Sequence, residues 1–462
     1  CMCILPTLAL LPDDLKCQVQ LGNGHYIIQM ANLKSSWGTR STALHALRSK
    51  QRLISSVSTV SEALARNFRG GLHMNSPLRP ADLPRGNRGA FTVDPATSPT
   101  LPSRYYTDPE IYAAEIRLIH QKSWCYVGHV CDVAEPGRYF TDTVGEQPIL
   151  VVKGQDGVIR AFYNVCQHRG HELLKGAGQL KTKGISCPYH AWLYRLDGSL
   201  AAAPMTDRVR EFDKSAYGLK EISVGVAAGL IFINLDPDCL PLEEEMAGFG
   251  ENIKSCHPGI ESWGVAERLN YSIKANWKTV VDNFSEAYHI PVAHPQLSKV
   301  LEQEMVEFVA ERRWTFNRFK SKAGFPGLEL APGSPYYAWQ AWPHLCMLSL
   351  PGSENLVVLR MGPDGVGGCA ERVDIYTPAG QAQANPKLLA VRNLFMDMFN
   401  IEDISIVESV QRGLQSMGYD QGRYVCDDGN SWFSEVQLHW LHMQVLAALA
   451  ADQGELGSDL SS

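Results

Sequence analysis

Residues 164–192 read NVCQHRGHELLKGAGQLKTKGISCPYHAW, and this stretch decides the fold. It holds Cys166-x-His168, then eighteen residues (169 to 186), then Cys187-x-x-His190. Each short pair sets a thiolate and an imidazole at the tip of a tight loop. Two such loops facing one another present two sulfurs and two nitrogens. That donor set suits either one zinc ion held tetrahedrally by all four residues or a [2Fe–2S] cluster with both Cys on one iron and both His on the other. The His pair would raise the cluster's potential into roughly the −150 to +300 mV range. C-x-H is an unusual zinc knuckle, so its pairing with C-x-x-H favours the cluster.

Working outward, the chain on the N-terminal side is β-rich. Tyr139 to Phe162 reads as three strands, YFTDTV, PILVVKG and, after a turn at Asp156-Gly157, VIRAFYNV. A helical segment is expected near Pro109 to Ser123, with Ile111, Ala114, Ile116 and Ile119 at helical spacing, and an alternating strand pattern begins at Trp124. Beyond Asp236 helices and strands mix. The pattern predicts a helix across Trp277 to Tyr288, strands near Trp314, Ala341 to Leu350 and Leu356 to Met361, and long helices after Pro386 and after Ser431.

The second constellation lies in ANWKTVVDNFSEAYHIPVAHPQL, residues 275–297. Glu286 and His289 are three apart and Asp282 stands four before Glu286, which would place all three on one helical face. Pro291 breaks that helix and lets His294 swing back beside His289. Two histidines and one further carboxylate make the facial triad of non-haem Fe(II) oxygenases, with positions left open for dioxygen and substrate. The third ligand is expected in NIEDISIVESVQRGLQS, where periodicity does not choose between Glu402 and Asp403. An electron-carrying cluster is useful beside something that consumes electrons, and an open iron site is such a sink.

Composition sets the outer bounds. The 462 residues are 45% apolar and 20% charged, enough for a large core. Lys plus Arg number 42 against 49 Asp plus Glu, a net charge of −7, so no basic excess exists to neutralise nucleic acid. Apolar runs fall short of the roughly 18 residues a membrane span needs. The twelve cysteines are scattered rather than arranged as a disulfide framework, which favours a reducing compartment. The chain starts on Cys1, and from Met30 to Gly71 Glu62 is the sole acid against seven Lys and Arg among many Ser and Thr. That composition suits a transit peptide or upstream sequence ahead of a start at Met74. The expected organisation is an unstructured or processed lead over 1–77, a linker and helix over 78–123, a cluster domain over 124–236 and a catalytic domain over 237–455. The expected localisation is cytoplasmic, or a plastid or other organelle if the lead is a transit peptide.

Both constellations together resemble the oxygenase (α) component of Rieske non-haem iron oxygenases, from about Tyr105 to Ala448. Within it the chain looks most like the carnitine and choline monooxygenase group. The shared motifs stand here as Phe162 to Leu174, Cys187 to Leu200, Ala275 to Lys278 and Glu402 to Tyr419. The resemblance implies an α+β chain, a Rieske [2Fe-2S] β-domain set against a helix-grip catalytic domain with an antiparallel sheet. It makes Cys166, His168, Cys187 and His190 the cluster ligands. It makes His289, His294 and Asp403 the iron ligands, deciding for Asp403 over Glu402. It also implies that Glu286 bridges His289 to a neighbouring subunit's cluster histidine at the position of His190, hence a ring, expected to be a homotrimer. Most members acting on aromatic rings have Asp there and the quaternary-amine branch Glu.

The reaction implied is monooxygenation of a quaternary ammonium compound, with NAD(P)H electrons arriving from a separate flavin/iron–sulfur reductase. A trimethylammonium group is held by aromatic faces, and the segment SPYYAWQAWPHL offers Tyr336, Tyr337, Trp339 and Trp342, with Tyr288 beside His289. Asp282 is a further candidate for the catalytic group. Two alternatives stand beside this reading: an aromatic-ring or aromatic-acid dioxygenase, and an iron–sulfur electron carrier without oxygenase chemistry, which would leave His289, His294 and Asp403 idle.

Overall fold

A computed structural model of the chain describes residues 17–22, 25–30 and 83–456, interrupted at 182–183, 300, 323–332, 352–353, 382–388, 390–391, 394 and 428–430. The chain forms two units, Cys1–His73 and Met74–Ser462. In the first, strands Cys17–Gly22 and His25–Met30 pair antiparallel. The expectation of an unstructured lead did not anticipate this hairpin. Its signals are local: alternating apolar positions at Val19 and Leu21, and an Asn23-Gly24 dipeptide of the kind that favours two-residue hairpin turns. The basic Ser/Thr-rich run beyond Met30 lies outside the described residues.

The second unit carries two seven-stranded antiparallel sheets. The first contains β1 (Cys125–His129), β2 (Arg138–Val144), β3 (Gln147–Lys153), β4 (Ile159–Tyr163), β5 (Ala177–Gln179), β9 (Glu221–Ala227) and β10 (Leu230–Asn234), in the order β1-β10-β9-β4-β3-β2-β5. Ile149 to Val152 are buried on both faces of β3, as a central strand requires. A small sheet of β6 (Gly184–Ser186), β7 (Leu193–Arg195) and β8 (Leu200–Ala202) lies between β5 and β9 in sequence. The second large sheet contains β11 (Gly264–Ile273), β12 (Leu301–Ala310), β13 (Trp314–Ser321), β14 (Pro335–Ala341), β15 (Leu345–Ser349), β16 (Leu356–Pro363) and β17 (Cys369–Thr377), in the order β11-β17-β16-β15-β14-β13-β12.

Among the described helices, four bear on the site: α1 (Pro109–Glu115), α2 (Trp277–Phe284), α3 (Asn400–Leu414) and α4 (Val436–Leu456). Helix α2 packs on β16, β17 and α3. It is anchored by an ion pair between Lys278 and Glu115 at 2.7 Å, with both side chains fully buried. Glu115 also accepts from Trp277 Nε1. No described helix is long and apolar enough to cross a membrane.

The two large sheets share one core. Tyr126, Leu230 and Phe232 of the first pack in the same cluster as Trp314, Trp339, Val358 and Tyr376 of the second. A ladder of charges also joins them. Arg360 grips Asp142 with both terminal nitrogens at 2.7 and 2.8 Å, and Arg372 reaches Asp142 at 2.9 Å and Asp374 at 2.7 Å. Arg268 closes the run onto Asp374 at 2.6 Å and Asp132 at 3.0 Å. Burial opposes the charge on Asp374, yet Arg372 and Arg268 hold its carboxyl down at about 2. Removing one partner of such a buried pair costs about 3–5 kcal/mol.

Candidate active site

The two Cys/His loops are near copies. In the first, which follows β4, Cys166 N–H donates to His171 O at 2.8 Å and Gly170 N–H to Cys166 O at 3.0 Å. In the second, between β6 and β7, Cys187 N–H donates to Trp192 O at 2.8 Å and Ala191 N–H to Cys187 O at 3.0 Å. Gly170 and Ala191, each four residues after its Cys, both take left-handed backbone, φ 71° and 56°. Glycine does so freely, while alanine bears about 1–2 kcal/mol of strain there.

Both Cys are 2% exposed, whereas His168 and His190 stand open at the surface with their rings 4.5 Å apart. Trp192 stacks on His168. Gln167 N–H occupies the Tyr194 hydroxyl oxygen at 3.0 Å, leaving its O–H to donate to Cys166 Sγ at 3.2 Å. A single tetrahedral zinc needs all its donors about 3.3–3.8 Å apart. No three of these four residues bring their ligand atoms within 4.8 Å of one another. The two thiols are buried and the two imidazoles exposed side by side, a division that suits a two-iron cluster with Cys on one iron and His on the other, so the four residues fit it.

His289, His294 and Asp403 do meet that test, and among the described residues they are the one such group. Asp403 Oδ1 lies 2.8 Å from His294 Nε2 and 3.6 Å from His289 Nε2. Each ring is pinned from behind: His289 Nδ1 by Glu286 Oε1 at 2.5 Å, and His294 Nδ1 by Glu402 Oε2 at 2.6 Å. Carboxylates that fix the far nitrogen of ligating histidines are the usual support of a metal site. The two acids that periodicity left undivided thus face different nitrogens of His294. Burial alone would lower the His294 pKa, but Asp403 and then Glu402 raise it. The donor set fits a divalent ion.

Asp282 stands apart. Helix α2 ends at Phe284 with Ser285 as its cap, so the face expected to run on to Glu286 and His289 is broken. Asp282 instead accepts from Tyr106 at 2.8 Å and pairs with His442 at 2.9 Å.

A cavity opens against His289, His294 and Asp403. Phe284, Phe308, Phe319, Tyr336, Phe399 and Trp432 line it. Of the aromatic residues expected from sequence, Tyr336 is among them, and Tyr337, Trp339, Trp342 and Tyr288 are not. Tyr336 and Ala338 of β14 face the cavity, so the alternate residues Tyr337 and Trp339 face the opposite side, where they pack with His257 and Phe316. Trp339 Nε1 donates to Asn252 there. Trp342 lies past the end of β14 and donates to Ser123, and Tyr288 is 53% exposed.

Sequence reasoning also missed Glu371 on β17, which an alternating strand presents as an ordinary polar position. It is 2% exposed and lines a small recess with Asp403 and Asn400, accepting from Asn400 Nδ2 at 2.8 Å. Burial pushes its carboxyl up to about 7. The folded state therefore keeps a proton that the unfolded chain releases between about pH 4.5 and 7, and stability falls as pH rises through that window. Glu371→Gln removes this loss. Thermal unfolding of iron-free protein should show the variant near parity at about pH 5 and more stable by on the order of 3 kcal/mol at about pH 8. A difference independent of pH would contradict the assignment.

Two sheets, a Cys/His loop pair and a two-histidine, one-carboxylate site define a Rieske-type oxygenase, and the comparisons agree. The Rieske [2Fe-2S] domain family matches residues 123–213 and the ring hydroxylating alpha subunit (catalytic domain) family residues 260–451. The chain is 35% identical over 349 residues to the carnitine monooxygenase oxygenase subunit of Acinetobacter baumannii, covering 75% of this chain and 93% of that one. It is 31% identical over 335 residues to the chloroplastic choline monooxygenase of Amaranthus tricolor, covering 71% and 74%. A solved quaternary ammonium Rieske monooxygenase superposes with a TM-score of 0.74 at 32% identity, covering 79% of this chain and 99% of that one. The chain belongs to the Rieske non-haem iron oxygenases, as an oxygenase (α) component that carries a [2Fe-2S] cluster and a mononuclear iron.

Proposed function

We propose that this oxygenase hydroxylates a quaternary ammonium compound. The observation that carries the reading is the cavity: six aromatic residues line it, Glu286 and Asp403 add negative charge, and no Lys or Arg is among its described lining residues. Each aromatic face offers a cation about 0.5–2 kcal/mol. The relatives act on, or are named for, carnitine and choline.

In this reading Cys166, His168, Cys187 and His190 hold the cluster, and His289, His294 and Asp403 hold Fe(II). With iron bound, the site activates dioxygen, placing one atom in a C–H bond while the other leaves as water, at the expense of two electrons and two protons. Glu286 and Glu402 fix the imidazole planes so that both Nε2 atoms face Asp403. The aromatic walls orient the ammonium group and exclude water. Hydroxylation at a carbon bonded to nitrogen gives a hemiaminal that breaks to amine and aldehyde, whereas hydroxylation at an alcohol carbon gives an aldehyde hydrate.

The electrons come from an NAD(P)H-dependent flavin/iron–sulfur reductase. Exposed His168 and His190 present the cluster to another surface, which supports a ring, a trimer by analogy, in which Glu286 of the next subunit receives it. The related solved structure is described in terms of inter-subunit electron transfer. The described cysteines are free, which suits the reducing interior of a cell or organelle.

The test is oxygen uptake with a compatible reductase on carnitine, γ-butyrobetaine, choline, glycine betaine and phthalate, with aldehyde and amine release followed. Uptake coupled to product is expected with at least one ammonium compound. Coupled turnover of phthalate alone would overturn the reading.

A further inference from the structure

We propose that Trp432 reads an oxygen atom of the substrate, its indole N–H donating to a hydroxyl or carboxylate on the bound ammonium compound. The inference rests on the quaternary-ammonium reading of the cavity. Trp432 lines that cavity and is 5% exposed, yet its Nε1 is buried without a hydrogen-bond partner among the described residues. Five other buried indoles among the described residues have acceptors. Trp124 donates to Leu240 O, Trp277 to Glu115, Trp314 to Ala247 O, Trp339 to Asn252 and Trp342 to Ser123.

The neighbouring polar wall does not supply the missing acceptor. Asn317 Nδ2 donates to Gln437 Oε1 at 2.7 Å, and Gln437 Nε2 donates to Gln340 Oε1 at 2.8 Å, so the oxygens of both glutamines are already taken, and no described acceptor reaches the indole. A buried donor left unmade costs about 1–3 kcal/mol. An acceptor on the ligand recovers that cost, so the bare N–H discriminates between ammonium compounds with and without an oxygen.

Trp432→Phe keeps an aromatic ring and deletes the donor. Titration calorimetry on the purified full-length protein, wild type and variant, uses four probes: L-carnitine, γ-butyrobetaine, choline and tetramethylammonium. The variant should bind oxygen-bearing probes about tenfold more weakly and tetramethylammonium unchanged, with KM rising at constant kcat for any probe turned over. A loss on γ-butyrobetaine assigns the carboxylate, and a loss on choline the hydroxyl. Trp432→His, which restores a ring N–H, should recover part of the affinity. Equal losses on all four probes, or none, would overturn the proposal while leaving the substrate class standing. Failure of the wild type to bind any of the four would overturn both.

Discussion

Asp403→Ala should yield protein that keeps its cluster, loses its mononuclear iron and does not turn over. Asp403 Oδ1 is the atom both imidazole Nε2 groups face, at 2.8 and 3.6 Å, so its loss removes the one anionic ligand and leaves two neutral donors. The Cys/His loops belong to the first large sheet and the small sheet, whereas Asp403 is on α3, so the loops should not sense the change. Glu402→Ala provides the internal contrast. It frees His294 Nδ1 but leaves the triad intact, so activity should fall about 10–100-fold, the usual cost of losing an outer partner of a ligand, with some iron retained. Metal analysis with electron paramagnetic resonance of the reduced cluster separates the cases. Full iron in Asp403→Ala and none in Glu402→Ala would exchange the two roles.

Glu286→Gln should leave both metals in place and disconnect them. The side chain accepts from His289 N–H at 3.0 Å and lies 2.5 Å from His289 Nδ1, and glutamine preserves the shape while removing the charge. Reduction of the cluster by dithionite should be unaffected. Reoxidation of the reduced cluster by oxygen and substrate in a single turnover should slow about 10–100-fold. Normal reoxidation would show that Glu286 only positions His289.

The four candidate cluster ligands were legible because they fall within 25 residues of chain, where spacing alone shows two facing Cys/His loops. His289 and His294 were legible for the same reason. Asp403 follows more than a hundred residues later, and only the family resemblance separated it from Glu402. The strands from Arg138 to Tyr163 were visible in their alternation. The aromatic walls were not, because period two says that Tyr336 and Tyr337 face opposite ways without saying which face meets the cavity. Both faces of that strand are lined with apolar material, so parity had no polar side to betray it. Asp282 was misplaced by assuming a helix that continued past Phe284. Glu371 and Trp432 acquire meaning only from what tertiary folding withholds from them, solvent in one case and an acceptor in the other.

The ladder of Asp132 and Asp142 against Arg268, Arg360 and Arg372 bears on what counts as a folding unit. Sequence patterning divides the chain into a cluster domain and a catalytic domain, as though either could be excised. Cut there, the cluster half would carry two aspartates stripped of their guanidinium partners, and the catalytic half a row of arginines in excess over Asp374. Each fragment would also expose the aromatic core it shares with the other. The pair should therefore melt as a single cooperative event, and each half can be inherited or engineered only together with its counterpart.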